Sequence, residues 1–181
     1  MNCEARPFID HFKLNKDFSN RQFNQFLDEN ISLIVSGIGK MKSAIATTFL
    51  LSQAKNLDSS IIFNIGIAGS AKHHSIGAAV LVNKITDHES GRSFFPAALQ
   101  NHNLEEARLE SFSQAVSRKN TTVDNLELVD MEASGYYEAA SNFLSASQIY
   151  CIKVVSDHLD DQKISKQFVS DLILQNLDGH F

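Results

Sequence analysis

The fold is decided by two stretches, Leu128-Val129-Asp130-Met131-Glu132-Ala133-Ser134-Gly135-Tyr136-Tyr137 (128–137) and Val154-Val155-Ser156-Asp157 (154–157). The first predicts a turn into a helix, because Asp130 can cap the helix and a carboxylate in the first turn suits its positive end. Apolar residues then recur at helical spacing, at Ala133, Tyr136, Tyr137, Ala140, Phe143 and Leu144. This stripe predicts a helix with one face against a core.

The second stretch ends a run of apolar and β-branched residues, 149–155, at the polar pair Ser156-Asp157. Such a run is typical of a buried parallel strand. The end of a buried strand is the usual place for chemistry in an open α/β sheet. The sequence therefore directs attention to Asp157 and to the helix start at Glu132.

Both stretches resemble the nucleoside phosphorylase/nucleosidase superfamily, most closely its methylthioadenosine/S-adenosylhomocysteine nucleosidases. Three further motifs agree in order, namely Cys3-Glu4-Ala5-Arg6-Pro7-Phe8, Ser36-Gly37-Ile38-Gly39-Lys40 and Asn64-Ile65-Gly66-Ile67-Ala68-Gly69. The resemblance covers most of the chain. It implies an α/β fold, a three-layer mixed β-sheet flanked by helices, with residues 1–181 as one domain.

Composition is that of an ordinary soluble domain, with 43% hydrophobic and 20% charged residues in 181. The net charge of −5 comes without a Lys/Arg cluster, so we expect no nucleic-acid partner. The two cysteines, Cys3 and Cys151, and the scattered histidines lack metal-ligand spacing, and we expect neither a metal nor a cofactor. Without a signal peptide or a long apolar span, a cytoplasmic protein with no membrane partner is expected.

Periodicity predicts the remaining elements in chain order. Helices are expected at 4–14, 41–54 and 163–177, an extended pair within 17–37, and strands at 60–64, 76–86 and 109–116. Residues 100–108 are expected to form a loop or one helical turn, and 118–125 a polar loop. The glycine turn at Gly37 and Gly39 can hold an anion at the following helix, or be a tight turn without a ligand.

Two features depart from the family. A central strand precedes the first helix in relatives, whereas only Met1, Asn2 and Cys3 precede Glu4 here. Either the sequence begins late or the protein builds a reduced sheet. Residues 97–125, which help to wall the base pocket in relatives, are also fewer than usual.

The resemblance implies roles for four residues. Asp157 matches the acid near purine N7, and its alternative role is a turn residue. Glu132 matches the residue that holds the ribose hydroxyls, and its alternative role is to interact with the positive end of the helix dipole. Met131 would pack against the sugar, and its alternative role is to fill the core. Glu4 matches the carboxylate that positions the attacking water, and its alternative is a solvated residue near the terminus.

Other candidates are weaker. Ser156 and Gly66 belong to the motifs around the substrate, and Phe112 stacks on the base or fills the core. Lys153 stands where nucleosidases often have Arg, whose bidentate geometry Lys cannot reproduce. Ile67 replaces a Ser or Thr of many relatives, which argues against phosphate binding.

Together these features predict a nucleosidase that hydrolyses the N-glycosidic bond of a methylthioadenosine-like purine nucleoside with water. The alternative is a noncatalytic nucleoside-binding or regulatory module, or a degenerate paralogue. The resemblance also implies a homodimer, in which apolar groups such as Phe94 and Phe95 would be covered.

Overall fold

The computed structural model of the protein describes residues 1–19, 21–71, 73–120, 122, 126–160 and 163–180. Within these ranges, four helices lie at Asn2–His11 (α1), Lys40–Ser52 (α2), Ala133–Ala140 (α3) and Lys166–His180 (α4). The same residues contain nine strands, at Asn15–Lys16 (β1), Asn24–Leu27 (β2), Ser32–Val35 (β3), Ile62–Ser70 (β4), Ala79–Asp87 (β5), Ser93–Phe94 (β6), Glu105–Ser111 (β7), Leu128–Asp130 (β8) and Ile149–Asp157 (β9). A short 3-10 helix, Ala146–Gln148, precedes β9.

The predicted extended pair is confirmed as the antiparallel strands β2 and β3, with Phe26 opposite Leu33. Their turn is closed by Asp28, whose Oδ1 accepts hydrogen bonds from the amides of Asn30 and Ile31, each at 2.7 Å. Strand β1 joins them in a small three-stranded sheet. This sheet is separate from the larger one, so the segment around Leu33 does not extend the main sheet.

The larger sheet is mixed and closes on itself. Its strand order is β6-β5-β7-β8-β4-β9, and β5 also pairs with β9. Strands β4 and β9 run parallel over eight residue pairs, with one irregularity at Ala68/Gly69. Strand β9 is thus paired on both sides, which buries Val154 completely. The carboxyl ends of β4 and β9 consequently lie next to each other.

Helices cover the sheet from two sides, which confirms the predicted α/β class. On one side α2 and α3 pack together over a core that includes Leu51, Tyr136 and Val155. On the other side α1 and α4 enclose a smaller core with Phe8 and Leu172. Strand β8 pairs with the carboxyl end of β4, so the start of α3, which follows β8, lies beside the ends of β4 and β9.

Strand β4 continues through Gly66 and Gly69 to Ser70, so the prediction that this strand ends at residue 64 was wrong. The glycines do not reverse the direction of the chain; they allow other side chains to come close to the strand backbone. A Cβ at Gly66 would lie 2.9 Å from Glu4 Oε1, and one at Gly69 would lie 2.3 Å from Leu159 Cδ2. Both glycines therefore let other segments approach the end of the strand.

Strand β7 runs from Glu105 to Ser111, so the prediction of a loop or one helical turn over 100–108 was wrong from Glu105 onward, and the strand predicted over 109–116 is confirmed only as far as Ser111. Ala107 and Leu109 point inward while their neighbours stay more exposed. The alternation is a strand signal, but the charged residues between these positions conceal it. Of the predicted polar loop 118–125, residues 121 and 123–125 lie outside the described part of the chain.

The helix predictions are confirmed with shifted ends. The first ends at His11 instead of residue 14, and the last begins at Lys166 instead of residue 163. Among the described helices, none has both the length and the apolar character needed to cross a membrane.

Candidate functional site

A cleft of about 1430 Å³ runs along β4, between α1, α2 and the small sheet, and reaches the carboxyl ends of β4 and β9. It exceeds the roughly 300–1,000 Å³ of ordinary small-molecule pockets and is large enough for a nucleoside. Six of the seven predicted site residues line it, namely Glu4, Gly66, Met131, Glu132, Ser156 and Asp157. They come from α1, β4, the β8–α3 turn and the end of β9, so the fold brings together residues that are far apart in sequence.

Asp157 ends β9 and is held by its neighbours. Its Oδ1 accepts a hydrogen bond from the Leu159 amide at 2.8 Å, and its Oδ2 accepts one from Ser156 Oγ at 2.7 Å. Leu159 adopts a left-handed backbone conformation with φ of 60°, unusual for a residue other than glycine. The turn after Asp157 thereby folds back onto the carboxylate and fixes its orientation at the cleft.

Glu132 binds the glycine turn before α2. Its Oε1 accepts a hydrogen bond from the Gly39 amide at 2.8 Å, and its Oε2 accepts one from the Met131 amide at 3.3 Å. The anion held by this turn is therefore the protein's own carboxylate. Each oxygen keeps a further acceptor position that a ligand hydroxyl can use.

Glu4 reaches the middle of β4 from α1. Its Oε1 accepts a hydrogen bond from the Ile67 amide at 3.1 Å, and its Oε2 contacts the amino group of Met1. The side chain is only 16% exposed. Glu4 is therefore packed against the cleft wall and is not a freely solvated residue of the terminus.

A buried ion pair lies beneath these residues. Lys153 Nζ is 3.0 Å from Asp130 Oδ2 and donates to Asn64 Oδ1 at 2.5 Å, with both charged side chains almost fully buried. Burial acts to lower the pKa of Lys153, but the charge of Asp130 and its neighbours outweighs this and holds the pKa above its ordinary value. Lys153 is therefore a permanent cation at the base of the site.

Asp130 connects this cation to the Glu132 turn. Its Oδ2 also accepts a hydrogen bond from the Ala133 amide at 2.9 Å, and its Oδ1 accepts one from Ser111 Oγ. The capping interaction predicted for Asp130 is thus present at the first residue of α3. The same carboxylate orients both Lys153 and the backbone that carries Glu132.

Phe112 is the one predicted site residue that does not line the cleft. It is 5% exposed and packs with Val129 and Leu159 in a small apolar cluster. Its ring also stacks on His88, with centroids 4.1 Å apart. Phe112 therefore supports the wall behind Asp157 from the core side.

Sequence reasoning gave Asn64 no role of its own, and it predicted that the turn at Gly37 and Gly39 can hold an anion without identifying that anion as Glu132. The signal for Asn64 was its polar side chain within residues 60–65, a run that otherwise has the pattern of a buried strand. No local signal marks the Gly39–Glu132 contact, because it joins residues 93 positions apart. Within the described ranges no three His, Cys, Asp or Glu side chains are grouped in a way that could hold a metal ion.

No protein-family model matches the chain, and no curated protein matches it by sequence. Solved structures do match it. The 5′-methylthioadenosine nucleosidase of Arabidopsis thaliana is 16% identical, with a TM-score of 0.77 over 100% of this chain and 94% of that one. The Helicobacter pylori 5′-methylthioadenosine/S-adenosylhomocysteine nucleosidase with butyl-thio-DADMe-Immucillin-A is 18% identical, with a TM-score of 0.74 over 96% and 90%.

A third similar structure is the futalosine hydrolase of Helicobacter pylori, 18% identical with a TM-score of 0.74 over 96% of this chain and 89% of that one. The chain thus shares the fold of these three structures over nearly its whole length. At these identities the likeness concerns the fold.

Proposed function

We propose that the protein is a nucleosidase that hydrolyses the N-glycosidic bond of a methylthioadenosine-like purine nucleoside. The observation that supports this most directly is the meeting of Asp157, Glu132 and Glu4 at one cleft. Cleavage of this bond needs a proton for the departing base, a hold on the ribose and a positioned nucleophile. The three carboxyl groups match these three requirements.

Asp157 is the general acid of the proposed reaction. In its protonated form it donates the proton to the purine as the C1′–N9 bond breaks and the bonding electrons move to the base. General acid catalysis of this kind typically contributes about 10²–10⁴-fold. The Leu159 amide and the Ser156 hydroxyl keep the carboxyl group in place during the transfer.

Glu132 holds the ribose and Glu4 activates water. The free acceptor positions of Glu132 bind ribose hydroxyls, which aligns C1′ as it becomes cation-like. A water oxygen then bonds to C1′, and Glu4 accepts the proton that this water loses. The products are the free base and the free sugar. Asp157 has lost one proton to the base, and Glu4 has gained one from water.

Water rather than phosphate is expected to be the nucleophile. The side chain of Ile67 is aliphatic, and its amide already donates to Glu4. Incubation with 5′-methylthioadenosine should release adenine at the same rate with and without phosphate, as followed by chromatography. Formation of 5-methylthioribose 1-phosphate would overturn the assignment as a hydrolase.

A noncatalytic nucleoside-binding module is the second candidate, and one observation favours it. In the described part of the structure, Glu4 and Asp157 act only as acceptors of protein hydrogen bonds or contacts, and neither carboxyl group donates one, which suits a site where no proton is transferred. A site built only for binding would show nucleoside binding by calorimetry and no released base from any member of a nucleoside panel.

A homodimer is expected in solution. Phe95 is 61% exposed, and α2 presents Met41 and Ile45, which are 77% and 54% exposed. Such an apolar surface favours association. Light scattering at tens of micromolar should report a dimer, and Ile45→Asp should shift it towards monomer. The matched change Leu174→Asp, on the helix that packs on the other side, should leave the dimer intact; a wild-type monomer contradicts the prediction.

A further inference from the structure

Lys40, the first residue of α2, makes contacts that its position in the helix does not explain. A cation in the first turn faces the positive end of the helix dipole and is unfavourable there. No acidic residue of that turn compensates it. Yet the Lys40 side chain is only 17% exposed and is held in a fixed place.

Two carboxylates at the end of β5 hold the Lys40 ammonium. Its Nζ donates to Asp87 Oδ2 at 2.6 Å and also to Glu89 Oε2. Burial acts to raise the pKa of Asp87, but the hydrogen bonds from Lys40, Ser90 and Ser134 outweigh it and hold the pKa well below its ordinary value. The hydrogen bond from Lys40 lowers the pKa of Glu89 to about 2. The cluster is therefore ionised near neutral pH.

The same cluster ties α2 to α3. Ser134 Oγ, in the first turn of α3, donates to Asp87 Oδ2 at 2.9 Å. A Cβ at Gly135 would lie only 2.1 Å from the Lys40 carbonyl oxygen, so the two helix starts are in direct contact. Asp87 thus accepts hydrogen bonds from Lys40 at the start of α2 and from Ser134 at the start of α3.

The residue before Lys40 carries the amide that binds Glu132. Gly39 lies just ahead of the helix, so its N–H has no acceptor within α2. Its acceptor is Glu132 Oε1 at 2.8 Å. Lys40 directly follows the residue whose amide binds Glu132, so the position of Lys40 constrains the turn that carries this amide.

We infer that Lys40 is a positioning residue, which through Asp87 fixes the Gly39 amide and thereby the orientation of the Glu132 carboxylate. The consequence for nucleoside binding rests on the proposed function, whereas the link from Lys40 to Gly39 does not. Lys40 touches no ligand in this role. It acts by removing freedom from the turn that holds Glu132.

Hydrogen exchange of the ¹⁵N-labelled protein tests the inference directly. Lys40→Met should speed exchange of the Gly39 amide at least about tenfold, while amides in the middle of α2, such as Ala46, keep their rates. Lys40→Arg, which retains a cation, should restore most of the protection. Arg108→Met, which breaks an exposed ion pair with Glu127, is the matched control and should leave Gly39 unchanged.

Unchanged Gly39 exchange in Lys40→Met overturns the inference. If that variant does not fold, Asp87→Asn supplies the same test, since it keeps the side-chain shape and removes the charge. Calorimetry with 5′-methylthioadenosine then separates the two proposals. If the wild type binds no nucleoside but Lys40→Met loses Gly39 protection, the proposed function is rejected and the positioning role is retained. If the wild type does bind the nucleoside, Lys40→Met should raise its Kd about tenfold.

Discussion

Replacing Asp157 with Asn is expected to reduce base release by about 10²–10⁴-fold while leaving nucleoside binding nearly unchanged. The amide keeps the shape of the side chain and can still accept the Leu159 hydrogen bond, but it cannot supply the acid proton. Ser156 Oγ, which loses its acceptor, retains the Ala68 carbonyl at 3.2 Å. Release of adenine from 5′-methylthioadenosine measures the rate, and calorimetry measures the affinity.

Two comparisons make this result specific. Asp171→Asn, an exposed change on α4, should retain the wild-type rate. Glu132→Ala should weaken binding and turnover together, because the ribose loses its anchor before and during the reaction. Turnover of Asp157→Asn within tenfold of the wild type would remove Asp157 from the role of general acid.

Replacing Lys153 with Met should lower the free energy of unfolding by about 3–5 kcal/mol, because it leaves the carboxylate of Asp130 buried without its counter-charge. Asp130 and Lys153 have side chains that are 1% and 2% exposed, so solvent screens neither charge. Urea denaturation measures this loss of stability as a lower midpoint of the unfolding transition, with the dependence of the unfolding free energy on urea concentration unchanged.

The control for Lys153 is an ion pair at the surface. Arg108→Met breaks the pair with Glu127, in which the arginine side chain is 64% exposed, and should leave the free energy of unfolding nearly unchanged because solvent screens the pair. The double variant Lys153→Met with Asp130→Asn should recover part of the loss, since the unpaired charge is gone. A loss below about 1 kcal/mol for Lys153→Met alone contradicts this account of the buried pair.

The sequence by itself determined most elements and the main candidates at the cleft. The β-branched run before Ser156 and the stripe from Ala133 are local patterns, and β9 and α3 follow them. Glu132 and Asp157 were found through motif resemblance, and the structure places both on the same cleft. The roles of these residues remain proposals.

Local patterns failed where distant segments decide the geometry. Strand β4 runs on through Gly66 and Gly69 because it stays paired with β9. Glycine is suited to both positions because Glu4 and Leu159 occupy the space that a side chain would need. Strand β7 carries charged residues that resemble a loop, yet it is paired on both sides, with β5 and with β8. In both cases the pairing energy comes from another part of the chain.

Only the tertiary structure decided how the charges of the site are arranged. The contacts of Lys153 with Asp130, of Gly39 with Glu132 and of Lys40 with Asp87 each join different secondary-structure elements. Hydrogen bonds and buried ion pairs depend on separations of about 3 Å, which sequence spacing cannot specify between distant residues. Periodicity fixes which face of an element is buried, whereas the packing of elements against one another fixes which polar groups meet there.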